Sequence, residues 1–288
     1  MVATLEVVAA GLSPMKGTRH LSWPQLALEQ DGPAGDREFC LVDAEAGTVL
    51  RTVQHPALLA AVVRRSGRRL EAEIPGEPAI SAVPEPAGGT IEAEYWGRAV
   101  ALELIDGPFG AAFSRYLERP VQLARAPRGG VVYGDQVTLV GTASLHAVAA
   151  TSGRREAGDW RRYRPTFVVR TEEPFEEERW AGHEVKLGNA VVQLGEPVPR
   201  CAVIDVDPQT GSRGRGLLAT LSAMPGRRGP LFGVYASVIE SGTVRPAPGW
   251  DETFELGPQS LPDGLTHRVE NRAAGRRLSP RPSPDPLG

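Results

Sequence analysis

What most constrains this chain is how often it is interrupted. Thirty-three glycines and 26 prolines are spread over 288 residues, about a fifth of all positions, and such punctuation favours short strands joined by many turns over long helices. No apolar run approaches the roughly 18 residues a membrane-spanning helix needs. With 41% apolar and 23% charged residues, the chain has the composition of a globular protein able to bury one core or two small ones. The expected class is therefore mostly β, with α+β detail.

The start, Met1–Leu12, lacks a basic region and carries Glu6, so no signal peptide is read there and a cytoplasmic setting is expected. Two cysteines, Cys40 and Cys201, cannot build a disulfide framework, a four-thiolate iron–sulfur cluster or a cysteine-rich zinc site. The formal charge of −3 argues against nucleic acid as a partner. Of 32 basic residues, only Lys16 and Lys186 are lysine. Codon bias accounts for such an excess, yet arginine is also the side chain suited to bidentate anion recognition.

Residues 2–9 read as a strand leading into the loop Gly11–Gly17. Phe39–Asp43 and Thr48–Thr52 read as a hairpin, with further strands at 69–73, 89–95 and 99–104 and a helix over 109–118 that Pro120 ends. Ala126–Gly130 is a natural boundary. Beyond it come a strand at 137–141, a helix at 143–150 with Thr142 as its N-cap, and a strand at 167–170. A hairpin over 184–194 turns at Gly188-Asn189; Cys201–Val206 alternates like a strand end, 216–223 looks helical, and 231–239 is an apolar strand. The organisation is then a β-barrel-like module over 1–125, a second β-barrel module over 126–257, and a Pro/Ser/Arg tail over 258–288 expected to be disordered.

Hydrolase and nucleotide-loop motifs are missing: there is no GxSxG, HExxH, GxxxxGK[ST] or strict GxGxxG. The five histidines are scattered and read as surface or packing residues. Cys201 follows two stiffening prolines and Arg200; it is either a buried structural cysteine or, with an adjacent cation favouring the thiolate, a nucleophile or soft-metal ligand. Cys40, inside an apolar run, reads as core. Lys16, Arg37, Arg164 and Arg200 each sit in a tight turn or at a strand start, where a solvated charge and an anion ligand are the competing readings.

Taken in order, the segments Ser13–Gly17 (SPMKG), Gly35–Asp43 (GDREFCLVD), Gln54–Leu58 (QHPAL), Gly134-Asp135, Thr142–Leu145 (TASL), Arg164–Val169 (RPTFVV), Pro174–Glu177 (PFEE), Arg200–Gly211 (RCAVIDVDPQTG) and Leu231–Tyr235 (LFGVY) resemble the MOSC family, named for the C-terminal domain of molybdenum cofactor sulfurase. The resemblance runs from about residue 3 to 257. It is to the two-module members, which include amidoxime-reducing components and pair an N-terminal β-barrel domain with the MOSC domain.

The resemblance implies that Cys201 ligates molybdenum through its thiolate, a soft ligand suited to a metal held by pterin sulfurs. It implies that Lys16, Arg37, Asp135, Ser144, Arg164, Thr166 and Arg200 hold the molybdenum cofactor (molybdopterin) in a cleft between the modules. It also implies an oxidoreductase that reduces N–O bonds in N-hydroxylated or N-oxidised small molecules, with electrons from a separate donor protein and no membrane partner. The alternatives are a carrier of sulfur or cofactor, and a MOSC enzyme recruited to other nitrogen chemistry in specialised-metabolite biosynthesis. Three positions depart from the family pattern: Thr166 stands where Asn is common, Gly17 where Ser is common, and Asp205 where eukaryotic relatives have Thr. Asp135 is followed by a shorter polar segment than in those relatives.

Overall fold

The computed structural model describes residues 2–214 and 216–250; the tail 258–288 lies outside the described residues, as does Arg215. The chain is mostly strand. Three α-helices are added to it among the described residues: α1 (Pro108–Tyr116), α2 (Thr142–Ser152) and α3 (Leu217–Ala223).

Five strands, Glu85–Tyr95, Arg98–Asp106, Gln122–Arg125, Phe39–Asp43 and Thr48–Val49, close into a barrel. Phe39–Asp43 reads as a continuous apolar run because it serves two cores at once. Phe39 and Leu41 pack with Met15, Leu58 and Phe113, while Cys40 and Val42 pack with Tyr95, Leu102 and Ala124. Gln122–Arg125, with a charge at its end, gives no such apolar signal, and the sequence reading passes over it although it is hydrogen-bonded on both sides.

An eight-stranded sheet forms the other β system, in the order Ala3–Leu5, Glu184–Leu187, Ala190–Pro199, Leu231–Glu240, Val137–Gly141, Phe167–Val169, Val7–Leu12, Leu21–Ser22. Its curl is completed by the start of the chain. Ala3–Leu5 pairs in parallel with Glu184–Leu187 at one end, and after Glu6 the same segment pairs antiparallel with Phe167–Val169 near the other. The opening segment thus joins both ends of a sheet otherwise built, apart from Leu21–Ser22, from residues 137–240. Val7, Ala10 and Leu12 face the interior, while Val8 and Ala9 pack against Leu145, Trp160 and Tyr163 outside. The segment is buried on both faces.

Two local expectations are corrected. Cys201–Val206 is not a strand end: Ala202–Asp205 forms a 3-10 turn. The Asp205 carboxylate instead accepts from the Leu217 and Leu218 amides at 2.6 and 3.2 Å, capping α3 from a distance. Thr142 is not the N-cap of α2, since Gly141 holds that position without a side chain. The orphan amides are met by long-range partners: Ala143 donates to Thr171 Oγ1 at 2.9 Å and Gly141 to Glu177 Oε1 at 3.0 Å.

Candidate functional site

Two loops of the first half are laced together by their backbones. The Lys16 amide donates to Phe39 O at 2.7 Å, Phe39 returns a bond to Pro14 O at 3.0 Å, and Arg37 donates to Ser13 O at 2.8 Å. Gly17 allows the tight exit from this loop, at φ +91° with Leu58 close beneath. Asp36 accepts from the Ser13 amide at 3.0 Å and pairs with the Arg37 guanidinium. From the second half, Arg164 reaches into the lacing: its guanidinium donates to Thr18 O at 2.6 Å and to Ser13 Oγ at 2.9 Å. Arg37 and Arg164 both hold left-handed backbone, at φ +48° and +54°, a conformation costly for non-glycine residues and typical of functional positions.

These elements wall a cleft of about 330 Å³. Lys16, Arg37, Asp135, Arg164, Thr166, Arg200 and Cys201 all line it; Ser144 does not. Ser144 is fully buried in the first turn of α2, where its hydroxyl donates to Glu177 Oε2 at 2.8 Å and accepts from the Phe175 amide at 2.8 Å. Both bonding directions of that hydroxyl are taken, so the expected cofactor contact is corrected to a structural one. Burial pushes the Glu177 carboxyl up.

The remaining seven differ in what they offer. Cys201 is exposed, in contrast to Cys40, which is wholly buried and whose thiol burial pushes up to about 12. Arg200 directs its guanidinium inward, donating from Nε and Nη2 to Phe232 O at 2.9 and 2.6 Å and from Nη1 to Tyr163 O at 2.6 Å. It fixes the backbone that presents Cys201. Thr166 is committed to its neighbour strand, its hydroxyl accepting from the Thr138 amide at 3.1 Å. Asp135 lies exposed on the loop before Val137, beside Gly134, whose backbone lies so close to the Tyr235 ring that a Cβ there would come within 2.5 Å.

Electrostatically the inner end is short of negative charge. Burial, reinforced by Arg37 and Arg164, pushes Lys16 down to about 7, with Asp36 and Cys201 opposing. Burial and then Arg37 bring Arg164 to about 9, and burial brings Arg200 to about 10. Cations destabilised in this way favour an anion among them. Tyr95 adds a polar group to the same wall. It is fully buried and lines the cleft, with Lys16 Nζ 5.1 Å from its ring centroid, yet its hydroxyl makes no well-formed hydrogen bond.

Sequence reasoning missed several wall residues. His20, read as a surface or packing residue, is buried and supports the wall from behind: Nε2 lies 2.8 Å from Pro165 O and Nδ1 3.4 Å from Ser13 Oγ, and burial with Arg164 nearby holds it well below the usual histidine range. Arg162, buried, donates to Val206 O at 2.7 Å and Ile204 O at 3.2 Å, fixing the turn after Cys201. Tyr95, Trp96, Tyr133 and Arg51 line the cleft with no sequence signal except one: a tryptophan directly before glycine, between the strands expected at 89–95 and 99–104. No helix among the described residues is long and apolar enough to cross a membrane.

Comparison with known proteins bears on both halves. Residues 5–108 match the MOSC N-terminal beta barrel domain and residues 127–247 the MOSC domain. The chain is 25% identical over 252 residues to molybdenum cofactor sulfurase of Drosophila grimshawi, an alignment covering 81% of this chain but 32% of that protein. It is 27% identical over 248 residues to mitochondrial amidoxime reducing component 2 of Rattus norvegicus, covering 74% of this chain and 72% of the relative. The human protein of the same name is 31% identical over 125 residues, 40% of this chain and 37% of that one. The chain therefore spans about a third of the sulfurase and most of the rat protein.

Proposed function

We propose a function from one premise: this chain belongs to the MOSC family in its two-module form, an N-terminal β-barrel domain followed by a MOSC domain. On that premise its cleft is a site for the molybdenum cofactor, and the chain is an oxidoreductase acting on N–O bonds of N-hydroxylated or N-oxidised small molecules. The observation that carries this reading is the joining of an exposed thiol, Cys201, to a cluster of destabilised cations in one cleft.

The donor set fits the group. Among the described residues no three His, Cys, Asp or Glu side chains gather to hold a bare metal ion, so a single thiolate suits a metal that arrives with its other ligands. Lys16, Arg37 and Arg164 suit the pterin and its phosphate, and the Tyr95 hydroxyl on the cleft wall can donate to a polar ligand atom. When bound, the cofactor supplies the electron pair for reduction, replenished by a separate donor protein.

The chain's own residues do the rest. Arg164 binds from the second half while Lys16 and Arg37 bind from the first. Arg200 orients Cys201 through the Phe232 and Tyr163 carbonyls. Lys16 Nζ, which burial pushes down to about 7 in the cofactor-free cleft, is drawn to its charged form when an anion binds beside it. The net change is N–OH plus two electrons and two protons to N–H plus water.

A second reading, transfer of sulfur or of the whole cofactor to a client protein, draws support from the exposure of Cys201 and from the sulfurase relatives. The test is to produce the full chain in a host that makes the cofactor and measure molybdenum and pterin content. Turnover of an amidoxime with a small-molecule reductant is then assayed. Stoichiometric cofactor with turnover is expected. Cofactor without turnover favours the carrier, and protein that purifies free of both overturns the assignment.

A further inference from the structure

The mouth of the cleft is built differently from its interior. Among the described residues four large apolar side chains are exposed, and two of them, Trp96 at 45% and Tyr133 at 59%, meet there. Their ring centroids are 5.0 Å apart in a T-shaped contact. Trp96 lies in the segment matching the N-terminal β-barrel domain and Tyr133 in the segment matching the MOSC domain, so the pair joins the two at the cleft.

This rim is positioned by more than chance exposure. Trp96 and Gly97 form the two-residue turn between Glu85–Tyr95 and Arg98–Asp106, at φ +53° and +78°. Such a turn favours Asn, Asp or Gly at its first position, because a bulky side chain is disfavoured in left-handed backbone. Arg51 lies over the indole at 4.6 Å. Arg98, the residue after the turn, donates to Gly130 O at 3.3 Å and to Val132 O, tying the loop that carries Tyr133 to the hairpin that carries Trp96. A strained turn, a stacked cation and a backbone staple hold two aromatic rings at the entrance, where solvation alone would favour polar residues.

We propose that Trp96 and Tyr133 form a specificity subsite that receives a flat aromatic ring, so that preferred substrates carry their N–O group on an aryl frame rather than a short alkyl chain. The assignment deepens the proposed function and rests on it for the reacting group. Aromatic side chains recognise such rings by offset or edge contacts, and apolar walls with few polar groups are the usual lining of small-molecule sites.

The test compares benzamidoxime with acetamidoxime on cofactor-loaded full-length protein. Binding is measured by calorimetry without reductant, and turnover with a small-molecule reductant, which removes any donor protein from the assay. Trp96→Asn is the informative variant, because asparagine tolerates left-handed backbone and the fold is kept. The benzamidoxime-to-acetamidoxime affinity ratio should fall about 3- to 10-fold in Trp96→Asn, and Tyr133→Ala should lower it in the same direction. A wild-type protein with no preference for the aryl compound, or a ratio unchanged in both variants, overturns the subsite even if N–O reduction is intact. A preference lost in Trp96→Asn but with no turnover of either compound upholds the subsite and removes the redox reading.

Discussion

The two ends of the cleft carry opposite kinds of strain. At the inner end, charge is crowded and desolvated: Lys16, Arg37 and Arg164 oppose one another across laced loops, with Asp36 the one carboxylate prominent among them. At the rim the strain is conformational, a tryptophan in left-handed backbone, and the surfaces offered are flat and aromatic. The inner end suits an anion that the protein keeps; the rim suits a ring that comes and goes. The difference teaches that retention and selection can be divided between parts of one cavity, so substitutions at the two ends should separate in their effects.

The largest effect is expected from Cys201→Ser. Oxygen is a poor replacement for thiolate at a soft metal, so molybdenum retention and turnover should be abolished. The thiol is exposed, and melting of the cofactor-free protein should match wild type. Full molybdenum occupancy in the variant would break the contrast, leaving the inner end without a metal ligand. Next come the two arginines, alike in sequence setting and unlike in bonding. Arg200→Ala removes three donors to backbone carbonyls and should cost the cofactor-free protein about 2–4 kcal/mol, roughly 5–12 °C in melting temperature. Arg164→Ala loses its bonds to Thr18 O and Ser13 Oγ but also relieves a crowded charge, so its melting loss should be the smaller, while cofactor retention should weaken about 10- to 100-fold. Equal melting losses in both would erase the distinction between holding the thiol and holding the ligand.

A smaller effect depends on pH. Lys16 titrates near 7 in the folded chain and near 10.5 when unfolded, so below pH 7 folding must accommodate an unfavourable charge. That penalty is constant below pH 7 and fades as pH rises toward 10.5. Lys16→Met should therefore melt higher than wild type at pH 6 in the cofactor-free form, with the gain shrinking by pH 10. A gain independent of pH would mean that the lysine's charge is not what is strained. The smallest change is at the rim: Trp96→Asn should raise cofactor-free stability by up to about 1 kcal/mol as backbone strain is relieved, read as a shift of a few degrees.

Much of the inner end was legible because its residues announce themselves locally. Lysine and arginine in Pro/Gly turns, and a cysteine after Pro-Arg, align with the family pattern over nearly the whole chain. Ser144 misled because a serine at a helix start looks the same whether it faces a ligand or a buried carboxylate, and its partner Glu177 lies 33 residues away. Asp205 caps α3 from twelve residues away, a role the sequence hides. The rim was almost invisible: its rings are brought together by the pairing of the two halves, and exposed aromatics leave no periodic trace.

The opening segment that joins both ends of the second sheet also sets an order of events. Ala3–Leu5 leaves the ribosome early, but its partner Glu184–Leu187 comes much later. During synthesis Val7–Leu12, buried on both faces in the fold, must likewise wait for Phe167–Val169, while the five-stranded barrel of residues 39–125 has all its strands at hand. Pairing across such sequence separation is slow, and an unpaired apolar strand is an aggregation hazard while it waits. The second sheet can therefore close only after about residue 187 has been made, however early its first strand appears.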